Sequence, residues 1–245
     1  MAKYYCILLD ADNTLLDFDA AENKALAETL DAFGLEADAE TLELYRQIND
    51  KLWKKLEKGE IRRDKLLSER FTQLLNALKA KGKGSDMNAT YLENLSHHPD
   101  LIPGSLTVLD ELAEVATLAV ASNGVEKVQK QRAKDSGIAD FMEELFISEQ
   151  VGCDKPNRKF FEHCLRVLGI EQRSHVLVVG DSLTSDVQGG VNAGLDTCWY
   201  NPNKMENTTD IHPTYEIHSL DELYPIVMEP DELERVGSKN RKHMG

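Results

Sequence analysis

The sequence predicts an α/β protein: a doubly wound parallel sheet, interrupted near its start by a block of helices. Three patterns predict it. Tyr4 to Leu9 is a short apolar run that ends abruptly in Asp10, as suits a strand buried on both faces of a parallel sheet. From Pro103 onward, short apolar runs alternate with helical segments, the pattern of crossover connections between parallel strands. Between the two, the chain carries apolar residues at helical spacing with no strand among them, so this block should form a bundle of its own. The expected domains are a core of 1–16 and 100–228, a helical cap of 17–99, and a tail of 229–245 that turns from acidic to basic and is expected to be disordered.

Taken in order, the first strand covers Tyr4 to Leu9. Asp17 to Phe33 is helical, with Ala21, Ala25, Leu26 and Leu30 on one face and Gly34 just past the end. Further helices cover Ala39 to Leu56, Arg63 to Lys81 and Met87 to His97, with Lys81-Gly-Lys-Gly-Ser85 as a turn. After Pro103-Gly104 come a helix, Leu106 to Ala113, a strand, Val115 to Ala121, and a helix, Val125 to Ser136. A strand at Glu144 to Ile147 precedes a helix at Asn157 to Leu168, with Pro156 at its first position. His175 to Val179 is a strongly apolar strand and Thr184 to Ala193 the helix after it. Strands at Thr197 to Tyr200 and Tyr215 to Ile217 and a helix at Leu220 to Val227 complete the core.

Composition removes several classes of function. The chain has 245 residues, with 28 basic and 43 acidic side chains and a net charge of −15. That field repels polyanions, so nucleic acid is not expected as a partner. A small phosphate ester remains compatible if a metal and one or two lysines make the field locally positive. The apolar run Val115 to Ala121 is far too short to span a bilayer, and the start of the chain has no signal-peptide pattern. Cys6, Cys153, Cys164 and Cys198 form no C-x-x-C pair, which reads as reduced thiols in a cytoplasmic protein. A monomer or a homodimer fits equally.

The reactive groups stand at the ends of the expected strands. Asp10 and Asp12 project from the same side of the first one, and two carboxylates there repel each other unless a cation or proton lies between them. Ser122-Asn123-Gly124 joins a strand to a helix and offers a hydroxyl and backbone N–H groups to an anion. Lys155 is a compact positive charge suited to a phosphate or a carboxylate cluster. Asp181 ends the run V-L-V-V-G, and Asp186 follows one turn into a helix. Singly, each has an ordinary structural reading as a helix cap, a strand end or a surface lysine. Together, Asp10, Asp12, Asp181 and Asp186 place four acids near one edge with no His or Cys beside them, which indicates a hard cation, Mg²⁺. Ser122 and Lys155 supply donors for a phosphoryl group. One carboxylate can then act as nucleophile and another as proton donor and acceptor.

The order D-A-D-N-T (10–14), S-N-G (122–124), K-P (155–156) and G-D-S-L-T-S-D (180–186) resembles the four-motif signature of the haloacid dehalogenase superfamily. The insert after the first motif resembles that superfamily's helical cap on a Rossmann-like core. The resemblance implies a role for each residue. Asp10 attacks phosphorus and carries an aspartyl-phosphate, and Asp12 protonates the leaving oxygen and then activates water. Thr14 supports the loop. Ser122 and Lys155 hold the phosphoryl oxygens, with backbone donors from Asn123 and Gly124. Asp10, the main-chain carbonyl of Asp12, and Asp181 bind Mg²⁺, while Asp186 holds Lys155 or a metal-bound water. An aspartate at Asp12 favours phosphate-ester hydrolysis or a mutase over halide displacement.

Residues 147–161 and 178–201, with 49–61 and Glu69-Arg70-Phe71, are similar to bacterial pyrimidine 5′-nucleotidases of the YjjG type. That implies hydrolysis of a nucleoside 5′-monophosphate, with cap residues choosing the base. Phe18, Trp53 and Phe71 are the aromatic candidates, Phe18 and Trp53 being taken as substrate-binding. The alternatives are a sugar-phosphate phosphatase or phosphomutase, for which Lys24 is the one basic residue early in the first cap helix, and a phosphorylatable receiver module.

Overall fold

The computed structural model describes residues 2–228, so the expected disordered tail lies outside the described residues. The chain divides into two compact units. Among the described residues, one takes in 2–16, Leu101–Glu126 and 136–228; the other takes in Asp17–Asp100 and Lys127–Asp135.

The first unit is built on six parallel strands: β1 (Cys6–Leu9), β2 (Thr117–Ser122), β3 (Glu144–Ile147), β4 (Val176–Gly180), β5 (Asp196–Tyr200) and β6 (Tyr215–Ile217). Their order is β3-β2-β1-β4-β5-β6. The winding reverses between β1 and β4, and ligands bind outside the carboxyl ends of the strands at such a reversal. Register is fixed there by Cys6 opposite both Thr117 and Val176. β1 and β4 are buried throughout, which is why they read as unbroken apolar runs. Leu8, Ala121, Phe146, Phe160, Phe161, Cys164 and Val178 share one buried cluster. The four cysteines carry no disulfide.

Several boundaries differ from the sequence reading, among them Thr117–Ser122 for the expected Val115–Ala121, Arg63–Ala77 for Arg63 to Lys81, and Gly84–Ser96 for Met87 to His97. β1 starts two residues late: the Tyr4 N–H turns to the Val227 carbonyl at 3.4 Å, while Tyr5 still pairs through its backbone with His175 and Thr117. The Tyr4 hydroxyl meets Asp196 Oδ2 at 2.5 Å, and Tyr5 stacks on His175. Pro156 is not the first helical residue. Asn157 caps the helix by accepting from the Lys159 N–H, so the helix runs Arg158–Val167. The expected helix Thr184–Ala193 begins instead as a wide π turn, Leu183–Val187, and becomes α-helical at Gln188–Ala193. A short helix at Ser148–Val151 was not read from the sequence at all. Among the described residues no helix is long and apolar enough to cross a membrane.

The second unit contains α1 (Phe18–Ala32), α2 (Ala39–Glu57), α3 (Arg63–Ala77) and α4 (Gly84–Ser96). Asp17 and Asp38 cap α1 and α2 through backbone N–H groups of Ala20 and Thr41. Its centre is an aromatic trio of Tyr45, Phe71 and Tyr91, with ring centroids 5.1 to 5.8 Å apart. Phe71 is wholly buried in that trio, so it packs the bundle and cannot stack on a ligand. Residues 127–135 join this unit through α6 (Glu126–Ser136; α5 is Ser105–Ala113). Arg132, fully buried, donates through Nε to the His98 carbonyl at 3.0 Å, and its guanidinium lies 5.8 Å from the Phe18 ring centre.

Beside the aromatic trio lies a buried polar chain. Asn49 Nδ2 donates to Glu22 Oε1 at 3.2 Å, and Asn49 Oδ1 accepts from Arg70 and from the Trp53 indole at 3.3 and 3.1 Å. Burial pushes the Glu22 carboxyl up to about 7, with Arg70 opposing the shift. Between the ordinary carboxylate range and about 7, the folded chain holds a proton here that the unfolded chain has released, so stability falls as pH rises through that window. Glu22→Gln should therefore leave the melting temperature near that of wild type at about pH 5 and raise it at about pH 8.5, where the variant is more stable by up to roughly 3 kcal/mol. Thermal melts at both pH values check this; equal shifts at both would sink it.

Candidate active site

Three of the four motifs follow the ends of β1, β2 and β4, and Lys155 stands in the loop between the short helix Ser148–Val151 and the helix Arg158–Val167. β1 runs into Asp10, whose N–H still pairs with the Val179 carbonyl at 2.8 Å. The chain then turns back tightly. The N–H groups of Leu15 and Leu16 both reach the Ala11 carbonyl, and Asn13 takes a left-handed φ of 56°. Asp12 is half-buried on this turn. Thr14 is fully buried and its hydroxyl has no hydrogen-bond partner. β2 ends in Ser122, whose Oγ accepts the Gly124 N–H at 3.0 Å.

Lys155 is the centre of the cluster. Its Nζ donates to Asp10 Oδ1 and to Asp186 Oδ1, both at 2.6 Å, and to the Ala121 carbonyl. The lysine is 2% exposed. Burial alone would lower its pKa, but Asp10 and Asp186 outweigh that and keep it charged. Asn123 holds the lysine's backbone from both sides. Its Nδ2 donates to the Lys155 carbonyl and its Oδ1 accepts the Lys155 N–H, each at 2.9 Å. Sequence reasoning read Asn123 only for its backbone donors. A side chain that clamps a residue 32 positions away leaves no mark in a single sequence.

The π turn after β4 brings Asp186 back over Gly180. A Cβ on Gly180 would lie 2.2 Å from Asp186 Oδ2, so only glycine fits. Carboxylate oxygens of Asp10, Asp181 and Asp186 lie within 4.8 Å of one another. Burial, then Asp186, pushes the Asp10 carboxyl well above its usual range despite Lys155; the same two causes push Asp181 up to about 7. Asp12 adds to both shifts. One lysine therefore does not balance the negative charge gathered here. An all-oxygen donor set with surplus charge fits a hard divalent cation. Asp186 already has Lys155 on one oxygen and the Ser182 N–H on the other at 3.2 Å, so Asp10 and Asp181 are the members that could hold such an ion.

The structure thus brings together Asp10, Asp181, Asp186 and Lys155 as the motif order predicts, with Asn123 bound to Lys155. Phe18 and Trp53 belong to the helical unit, and both are half-buried. Arg132 lies against Phe18 and Arg63 against Trp53, whose indole N–H donates to Asn49.

A profile of haloacid dehalogenase-like hydrolases matches residues 4–194. The chain belongs to that family. Its membership makes it a hydrolase. The chain is 38% identical over 221 residues to the pyrimidine 5′-nucleotidase PynA of Streptococcus pneumoniae, covering 90% of this chain and 93% of that one. It is 34% identical over 222 residues to the pyrimidine 5′-nucleotidase YjjG of Escherichia coli, covering 90% and 96%. Among solved structures it is similar to the HAD-hydrolase YfnB of Bacillus subtilis bound to magnesium. The TM-score is 0.88 at 36% identity, covering 92% of this chain and 99% of that one.

Proposed function

We propose that this family member is a Mg²⁺-dependent phosphomonoesterase that hydrolyses nucleoside 5′-monophosphates, pyrimidine nucleotides among them, through an aspartyl-phosphate on Asp10. The observation that carries it is the buried Asp10–Lys155–Asp186 set with Asp181 beside it. The full-length likeness to two pyrimidine 5′-nucleotidases supports the substrate class.

Asp10 attacks phosphorus, and Asp12 gives a proton to the leaving oxygen and later takes one from the water that cleaves the acyl phosphate. Lys155, Ser122 and the backbone N–H groups of Asn123 and Gly124 hold the phosphoryl oxygens, and Thr14 supports the loop beneath them. The Gly124 N–H donates to Ser122 Oγ, which sets the two groups side by side. Asp10, the Asp12 carbonyl and Asp181 would hold Mg²⁺, which when bound neutralises the carboxylates and draws charge from the phosphoryl oxygens. Phe18 and Trp53 set the preference for the leaving group. A mutase needs a spare cation to hold a second phosphate, and Lys24 is tied to Asp100.

A Mg²⁺-supplemented phosphate-release screen across nucleoside monophosphates and sugar phosphates tests the reading. Nucleotides should be preferred, and a sugar phosphate ranked above every nucleotide would overturn the substrate class. Trp53→Ala should lower kcat/KM for the best nucleotide by roughly 5- to 100-fold, the ~1–3 kcal/mol of a base stack. It should barely change the rate on p-nitrophenyl phosphate. Equal losses on both substrates would make Trp53 a packing residue.

A further inference from the structure

One peptide unit beside the cation ligands is held at both of its ends. Strand pairing fixes the chain up to Gly180, which stands opposite Trp199 of β5. Beyond it, the Asp181 carbonyl accepts the Trp199 indole N–H at 2.8 Å. The N–H of the same peptide unit, on Ser182, donates to Asp186 Oδ2 at 3.2 Å. Trp199 is 6% exposed. A buried indole N–H requires an acceptor, and a carbonyl just past a strand end has lost its ladder donor. Each group satisfies the other.

The consequence falls on the Asp181 side chain. β4 fixes the backbone before its Cα, and the doubly held peptide fixes the backbone after it. With both neighbouring torsions set, the Cα–Cβ bond has one direction, and only the side-chain torsions of Asp181 are left to choose among their staggered wells. We infer that Trp199 is the positioning residue for Asp181. It touches no reacting atom and acts by holding that carboxylate ready for a divalent cation. The inference rests on the reading of Asp181 as a Mg²⁺ ligand. Groups that orient a metal ligand typically change affinity by roughly 10- to 100-fold when removed.

Calorimetric titration of wild type and Trp199→Phe with Mg²⁺ alone tests it. The variant keeps an aromatic ring and loses the donor. Its Kd for Mg²⁺ should rise at least about tenfold, and saturating Mg²⁺ should restore most of its phosphate release. An unchanged Kd, with or without a lower melting temperature, would make Trp199 a packing residue and overturn the inference. Absence of Mg²⁺ binding by wild type would overturn the metal reading itself, which is a distinct result.

Should Trp199→Phe fail to fold, wild type provides the second measurement. The chain has two tryptophans, so its ¹⁵N spectrum carries two indole signals, assigned with Trp53→Phe. The Trp199 indole signal should shift on Mg²⁺ addition and exchange slowly with solvent. A Trp199 signal unmoved by saturating Mg²⁺ would overturn the inference.

Discussion

Asp10→Asn should lower turnover by on the order of 10⁵-fold or more, as removal of a nucleophile acting in a concerted set does. An amide cannot accept the phosphoryl group, and the geometry offers no substitute: Asp181 is the proposed cation ligand, and Asp186 has both oxygens engaged by Lys155 and Ser182. The fold should survive, because Lys155 keeps its bonds to Asp186 and to the Ala121 carbonyl. Rapid-quench measurement with labelled substrate checks both parts. Wild type should show a hydroxylamine-labile phosphoenzyme and the variant none. Near-normal turnover by Asp10→Asn would remove the covalent route.

The second large effect is on stability as well as activity. In Lys155→Met, Asp10 and Asp186 would face each other without the cation now 2.6 Å from each. Breaking a buried ion pair from one side costs about 3–5 kcal/mol, because the remaining charge is left unpaired. The pH dependence carries a sign. Lys155 is the charge that opposes the upward shift of the Asp10 carboxyl, so removing it raises that folded-state pKa further above the unfolded value. The folded chain then binds more protons than the unfolded one, and stability falls as pH rises. Lys155→Met should therefore lose more against wild type at about pH 8 than at about pH 5, and Mg²⁺ should raise its melting temperature more than that of wild type. A pH-independent loss would mean that the lysine acts through packing alone.

How much of this was legible depended on whether the signal was local. β3 and β6 were read to the residue, because each is a short apolar segment with clear breaks. Three of the four motifs were legible because each follows a strand end, where the sequence turns from apolar to polar; the Lys155-Pro156 motif sits in a loop and was legible only through its order among the others. Contacts across the fold were not. Lys155 meets Asp10 across 145 residues and Asp186 across 31, and the Trp199 contact to Asp181 spans 18. The π turn was invisible for another reason. Its geometry depends on the Ser182 carbonyl accepting from both Asp186 and Val187, and L-T-S-D-V carries no residue that forbids an ordinary helix. The same holds for Phe71, whose helical spacing was compatible with a core or a ligand-facing role until its burial was seen.

The helical unit is not contiguous in the chain. Arg132 lies on α6, whose first residue comes two positions after Ser122-Asn123-Gly124, yet it holds the His98 carbonyl and the Phe18 ring. Anyone transplanting this cap onto another hydrolase to change its substrate range would naturally cut at the two ends of the insert. A graft of Asp17–Asp100 alone would arrive without the guanidinium that ties its first helix to its last residues. The unit of exchange is two segments, and the host's own helix in place of α6 must supply an arginine at the matching turn or be replaced along with the cap.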